Sequence, residues 1–393
     1  MYTNLLVIGA SARAFAVSAS RLGVRVNAID LFGDQDLQKV CGRVFQVHAD
    51  AYPNDLPAIA SAFPEGPVVY TGGLENHPKV LGELSSVRKL LGNGPKVVEQ
   101  VRDFTFIREL AHKNGCSYPT TFSSPAGLPK DGTYLKKPTL SIGGKGILAW
   151  KGVSKGKSLS GDLWQAFVAG VPMSLSFLAS PEGVEVLGVC RQLIGCAWCQ
   201  AAGFTFCGAV EIPKVELQQD MLKRLFRFAG ALVERTGLMG LIGIDFIMPR
   251  GAFGDQLPKP IVLEVNPRPT ATMELFERRT GRSHAGMHLF AQKFPIPAES
   301  VETGHQRDAC WGKAIVFAKE PLYVSSALNN HLTKCMSLLK NQSFGWPMVA
   351  DWPRNGTVIQ AGHPIVTVFS SAQTPRCVVR RLRRNVNEIV RGL

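Results

Sequence analysis

Gly240-Leu-Ile-Gly-Ile-Asp245-Phe-Ile-Met248, a gap punctuated by Pro249, Gly251, Gly254 and Pro258, and then Ile261-Val-Leu-Glu264-Val-Asn266-Pro-Arg268-Pro-Thr-Ala-Thr-Met-Glu-Leu275 decide how this chain is read. Ile242–Met248 and Pro260–Val265 are short apolar runs bounded by turn residues, which predicts two strands joined by a loop. Each carries polar residues where burial should exclude them. Side chains alternate along a strand, so Glu264, Asn266 and, on a continued extended path, Arg268 fall on one face, which Asp245 on the neighbouring strand can share. Mg²⁺ takes hard oxygen ligands from one or two carboxylates and the rest from phosphates and water. That chemistry fits Asp245, Glu264 and the Asn266 carbonyl, with Arg268 facing a phosphate. The alternative at this point is a strand pair holding a buried Glu264–Arg268 salt bridge.

At these residues the sequence resembles the ATP-grasp superfamily, whose large lobe ends in a strand pair of the form Asp-Phe-Ile and then Glu-x-Asn-Pro-Arg. The resemblance implies that Asp245, Glu264 and Asn266 hold the Mg²⁺ (or Mn²⁺) bridging the ATP phosphates. It also makes Arg268 the catalytic residue that contacts the transferred phosphate.

The length of 393 residues predicts two to four domains or lobes. Hydrophobic residues at 45% and charged residues at 19%, with no apolar run long enough to span a bilayer, describe an enzyme-sized globular protein expected in the cytoplasm. Nine cysteines without a secretion signal argue for reduced thiols. Cys196-Ala-Trp-Cys199 has the spacing of half a zinc site but no second Cys-x-x-Cys, so Cys190, Cys196, Cys199 and Cys207 are expected as small buried residues. A net charge of +14 favours anionic partners. Part of that charge decorates the last segment, where Val378, Leu382, Val386 and Ile389 keep a helical apolar spacing, so a packed terminal helix with a solvated basic face is expected.

Leu5–Ile8, Ser11–Leu22 and Val24–Ile29 read as strand, helix and strand. The turn Gly9-Ala-Ser-Ala-Arg13-Ala lacks the later glycines of a dinucleotide fold, which argues against NAD or FAD and leaves Arg13 for a substrate anion. A third strand, Val68–Tyr70, runs into Thr71-Gly-Gly-Leu-Glu75-Asn76-His77-Pro78, at the carboxyl end of a parallel strand where such sheets place ligands. Glu75 and Asn76 are candidate substrate contacts, with capping of the next helix as the alternative. Gly92, Gly94 and Pro95 mark a boundary, followed by a helix over Val101–Lys113.

Tyr134–Lys137 reads as a strand ending in a lysine pair, followed by the Gly-rich hairpin Ser141-Ile-Gly143-Gly144-Lys145-Gly146-Ile147. Glycines there let backbone N–H groups close on phosphate oxygens, and the preceding lysine supplies charge. The arrangement resembles the ATP-grasp small lobe, which implies phosphate contact from Lys137 and cover from Gly143, Gly144, Lys145 and Gly146. Trp164–Gly170 resembles the hinge that meets adenine, with Ala166 and Val168 as the backbone contacts. The family's ribose-binding Glu is not found among Val171, Pro172 and Met173, and the usual second basic residue is replaced by Arg102 or Arg108. Three apolar strands follow between Met173 and Val210, and then a helix over Asp220–Thr236 stopped by Gly237. Beyond Asn266, the basic group containing Arg278, Arg279, Arg282, His284 and His288 is expected to be structural or to meet a substrate anion, and Arg278 and Arg282 are the candidates for that contact.

The resemblance spans nearly the whole chain and implies an α/β architecture in three parts. These are a Rossmann-like domain over 1–98, an ATP-grasp domain over 99–300 (small lobe about 115–162, large lobe about 163–300) and a small β-rich C-terminal domain over 301–393. The motifs look like the group of predicted ATP-dependent carboligases, near the tyramine-glutamate ligases. The implied function is a carboxylate–amine ligase acting through an acylphosphate on small anionic substrates, glutamate or a glutamyl cofactor precursor among them, with a homodimer as a possible assembly. The alternatives are a bicarbonate-activating carboxylase and a non-catalytic nucleotide-binding or nucleic-acid-binding regulator.

Overall fold

The computed structural model describes residues 4–152, 161–249, 258–296, 309–339 and 346–393. Its first sheet is parallel, in the order β3-β2-β1-β4, from β1 (Asn4–Ile8), β2 (Arg25–Asp30), β3 (Cys41–Gln46) and β4 (Val68–Tyr70). Alternation sends Leu5 and Val7 into one hydrophobic cluster and Leu6 and Ile8 into another, as required of a strand covered on both faces. The sequence pattern misses β3, because this edge strand is half exposed and lacks an apolar alternation. Val68–Tyr70 is therefore the fourth strand in chain order.

The next sheet is antiparallel, in the order β5-β8-β6-β7, from β5 (Thr121–Phe122), β6 (Tyr134–Lys137), β7 (Leu148–Ala149) and β8 (Leu163–Ala166). The single helix expected over Val101–Lys113 is two, Pro95–Arg102 and Phe104–Lys113. Asp103 divides them: it leaves the helical path and caps the second helix by accepting from Thr105 N at 2.8 Å.

The largest sheet contains β9 (Gly170–Ser180), β10 (Gly183–Ile194), β11 (Phe206–Ile212), β12 (Gly240–Pro249), β13 (Ile261–Asn266) and β14 (Cys310–Phe317). Beyond them in the chain come β15 (Leu322–Tyr323), β16 (Val349–Ala350), β17 (Val358–Ile359) and β18 (Pro364–Ala372). The sheet order is β13-β12-β9-β10-β11-β14-β18-β16, so the C-terminal strands extend the sheet that carries the metal-candidate strands. The Gln219–Thr236 helix buries Met221, Leu225, Phe228 and Leu232 against it and ends at Gly237, whose φ of +70° suits glycine. The Pro375–Val390 helix buries Val378, Leu382, Val386 and Ile389 and leaves its arginines exposed. Among the described residues no helix is long and apolar enough to cross a membrane. The loop containing Gly251 and Gly254 and the expected boundary near 300 lie outside the described residues.

Candidate active site

In the β12–β13 ladder Asp245 stands directly opposite Glu264, and Gly243 opposite Asn266, with a register shift immediately after Asp245. Opposed residues share a face, so the two carboxylates and the amide meet as expected. Asn266 Nδ2 donates to Asp245 Oδ2 at 3.2 Å, and Gln192 Nε2 on β10 donates to Asp245 Oδ1 at 3.0 Å. Burial, then the Glu264 charge, pushes the Asp245 carboxyl up to about 7. A carboxylate made reluctant to ionise by a second one is the electrostatic signature of a place for a cation. Among the described residues no group of three or more His, Cys, Asp or Glu converges as a closed metal cage. Two carboxylates and an amide fit Mg²⁺, which keeps phosphate and water in its shell.

The alternative salt bridge does not form. Arg268 pairs with Glu75 at 2.5 Å, and its guanidinium also donates to Asn266 Oδ1 and Pro269 O, each at 3.2 Å. Its Nε is buried without a partner. Glu75 accepts from Gly73 N at 2.6 Å through its other oxygen. Burial pushes the Glu75 carboxyl up, but Arg268 overrides this and holds it below its ordinary value. Glu264 remains partly exposed, with Arg102 at 3.8 Å. Two residues that the sequence reading missed brace the turn between Asn266 and Arg268: Tyr70 Oη and Asn93 Nδ2 both donate to Pro267 O, at 3.1 and 2.9 Å.

Lys137 faces the same cavity and donates from Nζ to Gln165 Oε1 at 3.1 Å. Lys136, on the other face of β6, pairs with Asp162 at 2.8 Å. Burial, opposed in part by Glu264 and Asp245, lowers the Lys137 pKa. Gly143, Gly144 and Lys145 also line the cavity, whereas Gly146 does not. Gly144 has φ +77°, and a Cβ there would sit 2.1 Å from Phe204 O, so only glycine fits the close approach to the large sheet. Three parts of the molecule hold the loop: Asn76 Nδ2 donates to Ser141 O at 3.0 Å, Phe206 N to Gly143 O at 2.9 Å, and Lys145 Nζ lies 3.3 Å from His363 Nε2. Arg102 donates to Asn76 Oδ1 at 2.7 Å and to Thr139 O at 3.2 Å. Ala166 and Val168 line the cavity too. Ala166 N–H is committed to Thr120 O at 2.8 Å, while among the described residues Val168 N–H makes no backbone hydrogen bond.

Residues 104–272 match the family model described as the ATP-grasp domain. This segment is an ATP-grasp domain. Over 98% of both chains the structure is similar to an L-amino acid ligase from Bacillus licheniformis, at 15% identity and a TM-score of 0.67. A carboxyaminoimidazole ribonucleotide synthase from Aspergillus clavatus, solved with ATP, matches over 100% of both chains at 14% identity and a TM-score of 0.68. The biotin carboxylase domain of a 2-oxoglutarate carboxylase from Hydrogenobacter thermophilus, solved with MgADP, matches over 98% of this chain and 89% of that one, at 14% identity and a TM-score of 0.69. At these identities the likeness establishes the fold. No curated protein matches the chain.

The ATP-grasp strands and the first sheet enclose one cavity of about 1140 Å³. Arg13, Asp34, Lys313 and Asp351 form a second charged group on its lining, the far end, since Lys313 stands on β14, four strands from β12 in the sheet order. Arg13 reaches it as expected but is not a free cation: it forms a two-pronged pair with Glu274 and donates to Asp351 Oδ1 at 2.8 Å. Lys313 Nζ donates to Glu274 at 3.1 Å.

The expectation for Arg278 and Arg282 is corrected, since neither lines the cavity. Arg278 is buried one helical turn beyond Glu274, its guanidinium 3.5 Å from the Phe369 ring centroid and donating to Pro347 O. Arg282 pairs with Glu185 at the surface, at 2.8 Å. Glu75 and Asn76 border the cavity, but their side-chain groups are engaged by Arg268, Gly73, Ser141 and Arg102, which makes them positioning residues for Arg268 and the Gly-rich loop. His288 is a core residue: Nδ1 accepts from Leu241 N at 3.0 Å, and Nε2 lies 3.1 Å from Leu91 O.

Proposed function

We propose that the chain is an ATP-dependent ligase that joins a carboxylate to an amine through an acylphosphate. The observation that carries this reading is the convergence of Asp245, Glu264, Asn266 and Arg268 on the cavity that also receives Lys137 and the Gly-rich loop. Mg²⁺ at Asp245, Glu264 and Asn266 would supply Lewis-acid neutralisation of the polyphosphate charge.

The chain's own groups do the remainder. Lys137 offers a desolvated ammonium to the phosphates, and the backbone of Gly143–Lys145 closes over them. Val168 N–H is the hinge donor open to the adenine edge. Arg268, aimed by Glu75 and by the braced Pro267 carbonyl, stabilises the transferred phosphoryl group. The substrate carboxylate oxygen attacks the γ-phosphorus and ADP leaves. The amine then attacks the acyl carbon, loses a proton, and phosphate departs with one oxygen from the carboxylate. No serine or cysteine nucleophile is required, because positioning and electrostatics supply most of the rate in phosphoryl transfer.

Oxygen labelling tests the route. With an ¹⁸O-labelled carboxylate, one ¹⁸O appears in the released phosphate, seen by mass spectrometry. Unlabelled phosphate, or ADP release that needs bicarbonate and no amine, contradicts the ligase reading, and the second result places the chain with the carboxylases.

A further inference from the structure

The far end of the cavity carries an imbalance of charge that its own protein partners do not settle. Three cations, Arg13, Lys313 and Arg278, are set against five carboxylates, Glu274, Asp351, Asp36, Asp34 and Asp30, of which Asp30 is held by the Ala12, Phe32 and Gly33 N–H groups. Glu274 takes Arg13 and Lys313 together. Asp351 takes the remaining edge of Arg13. Asp36 accepts Asp351 N and Trp352 N, at 2.9 and 3.0 Å, and so fixes Asp351 in its left-handed conformation at φ +58°. Asp34 is left over. It is only 6% exposed and lines the cavity, yet among the described residues its carboxylate has no hydrogen bond or ion pair.

Its place in the chain sharpens the point. Asp34 is the N-cap residue of the Gln35–Val40 helix, where an aspartate ordinarily accepts from the first-turn N–H groups. Here it makes no cap hydrogen bond. Its oxygens are not among the sealed, partnerless buried atoms, so the carboxylate opens on the cavity and is free to take a ligand. The group missing is cationic. Burial, followed by the charges of Asp351, Asp30 and Asp36 and opposed in part by Arg13, holds the Asp34 carboxyl well above its ordinary range, the state that a bound cation would relieve. A metal ion is the competing cation, and the calcium titration below separates it from an ammonium. An organic ammonium fits well: its N–H groups suit separate carboxylates, and the partly exposed Leu31 and Phe32 offer apolar surface on the same cavity.

We propose that Asp34, with Asp351 beside it, forms an ammonium subsite that binds a primary amine with an apolar stem. The proposal rests on the ligase reading and assigns that reading's amine to this group rather than to the one around Arg268. It also reverses the expectation that Arg13 recruits an acid at this end.

The test uses the full-length protein, thermal-shift titration with n-hexylamine and benzylamine, and their alcohol and carboxylate isosteres. MgADP binding, measured separately, reports on the nucleotide site and keeps failure of the ligase reading distinct. The expected result is that the amines stabilise the protein saturably and their isosteres do not. Asp34→Asn should weaken amine binding about tenfold or more, the loss of a charged hydrogen bond, leave MgADP binding unchanged, and leave the ligand-free Tm undiminished, because the carboxyl has no hydrogen bond to lose. Equal stabilisation by amines and alcohols, absence of any amine effect in protein that binds MgADP, or stabilisation by CaCl₂ that depends on Asp34 would each overturn the subsite. A lower ligand-free Tm in Asp34→Asn with amine binding intact would also overturn it, by making Asp34 structural.

Discussion

The two ends of the cavity are both charged, but they are assembled in opposite ways. At the metal-candidate end, Asp245, Glu264, Asn266 and Arg268 lie on two paired strands and the turn that leaves them, and the spacing of three of them is two residues. At the far end, Arg13, Asp34, Glu274, Lys313 and Asp351 come from distant segments, with Arg13 and Asp351 separated by 338 residues. The first end is a local motif, whereas the second is assembled across the fold, in part by the Gln35–Val40 helix against the Asp351–Arg354 loop, with Gln35 N donating to Trp352 O at 2.8 Å. Chemistry shared by a family can reside in the local motif, and the choice of substrate in the assembled end.

The sharpest way to break this comparison is at Arg268. Arg268→Ala should lower turnover by about 10²–10³, the cost of removing one group aimed at developing charge, with the KM for ATP little changed. Steady-state ADP release measures it, and an unchanged kcat would remove Arg268 from the chemistry. Next comes Arg13, whose loss strands Glu274 and Asp351. Arg13→Ala should destabilise the fold by about 3–5 kcal/mol in urea unfolding, whereas Arg282→Ala, on an exposed pair, should stay within about 0.5 kcal/mol. If the two cost the same, the far end is not the buried network described. Glu75→Gln keeps the shape but removes the charge that aims Arg268, and should cost about tenfold in kcat, some 1.4 kcal/mol. An intact kcat would show that the Pro267 bracing alone positions Arg268.

The mildest effect concerns the core that both ends share. Burial lowers His288 to about 4 from its ordinary 6.5, so the unfolded chain binds a proton that the native state refuses. Its contribution to stability is complete above pH 6.5 and is lost as pH falls toward 4. The urea midpoint should therefore drop between pH 7 and pH 5, with a shallower drop in His288→Gln. Equal slopes would remove His288 as the cause.

These contrasts explain what could be read in the chain. The metal-candidate pair was legible because strand alternation converts spacing into a shared face, whereas Lys137 was preferred over Lys136 through the family resemblance, as the lysine before Pro138. The basic group at Arg278 and Arg282 misled because spacing on a helix says nothing about which neighbour each face meets: Arg278 stacks on Phe369 of β18 and Arg282 meets Glu185 of β10. Tyr70 and Asn93 carried no signal, since a strand tyrosine and a loop asparagine are ordinary residues until Pro267 O is placed between them. Asp34 carried no signal in the sequence, and only its missing cap bond and the cavity beside it set it apart.

The most direct measurement is ADP release from Mg·ATP by purified protein supplied with pools of carboxylates and amines, with Glu264→Ala in parallel. The account predicts turnover that requires one carboxylate and one amine together and falls by about a thousandfold in the variant, as expected when several kcal/mol of metal-held charge stabilisation is lost. ADP release that Glu264→Ala leaves intact would contradict it, because the paired carboxylates would then not be the metal and phosphate site.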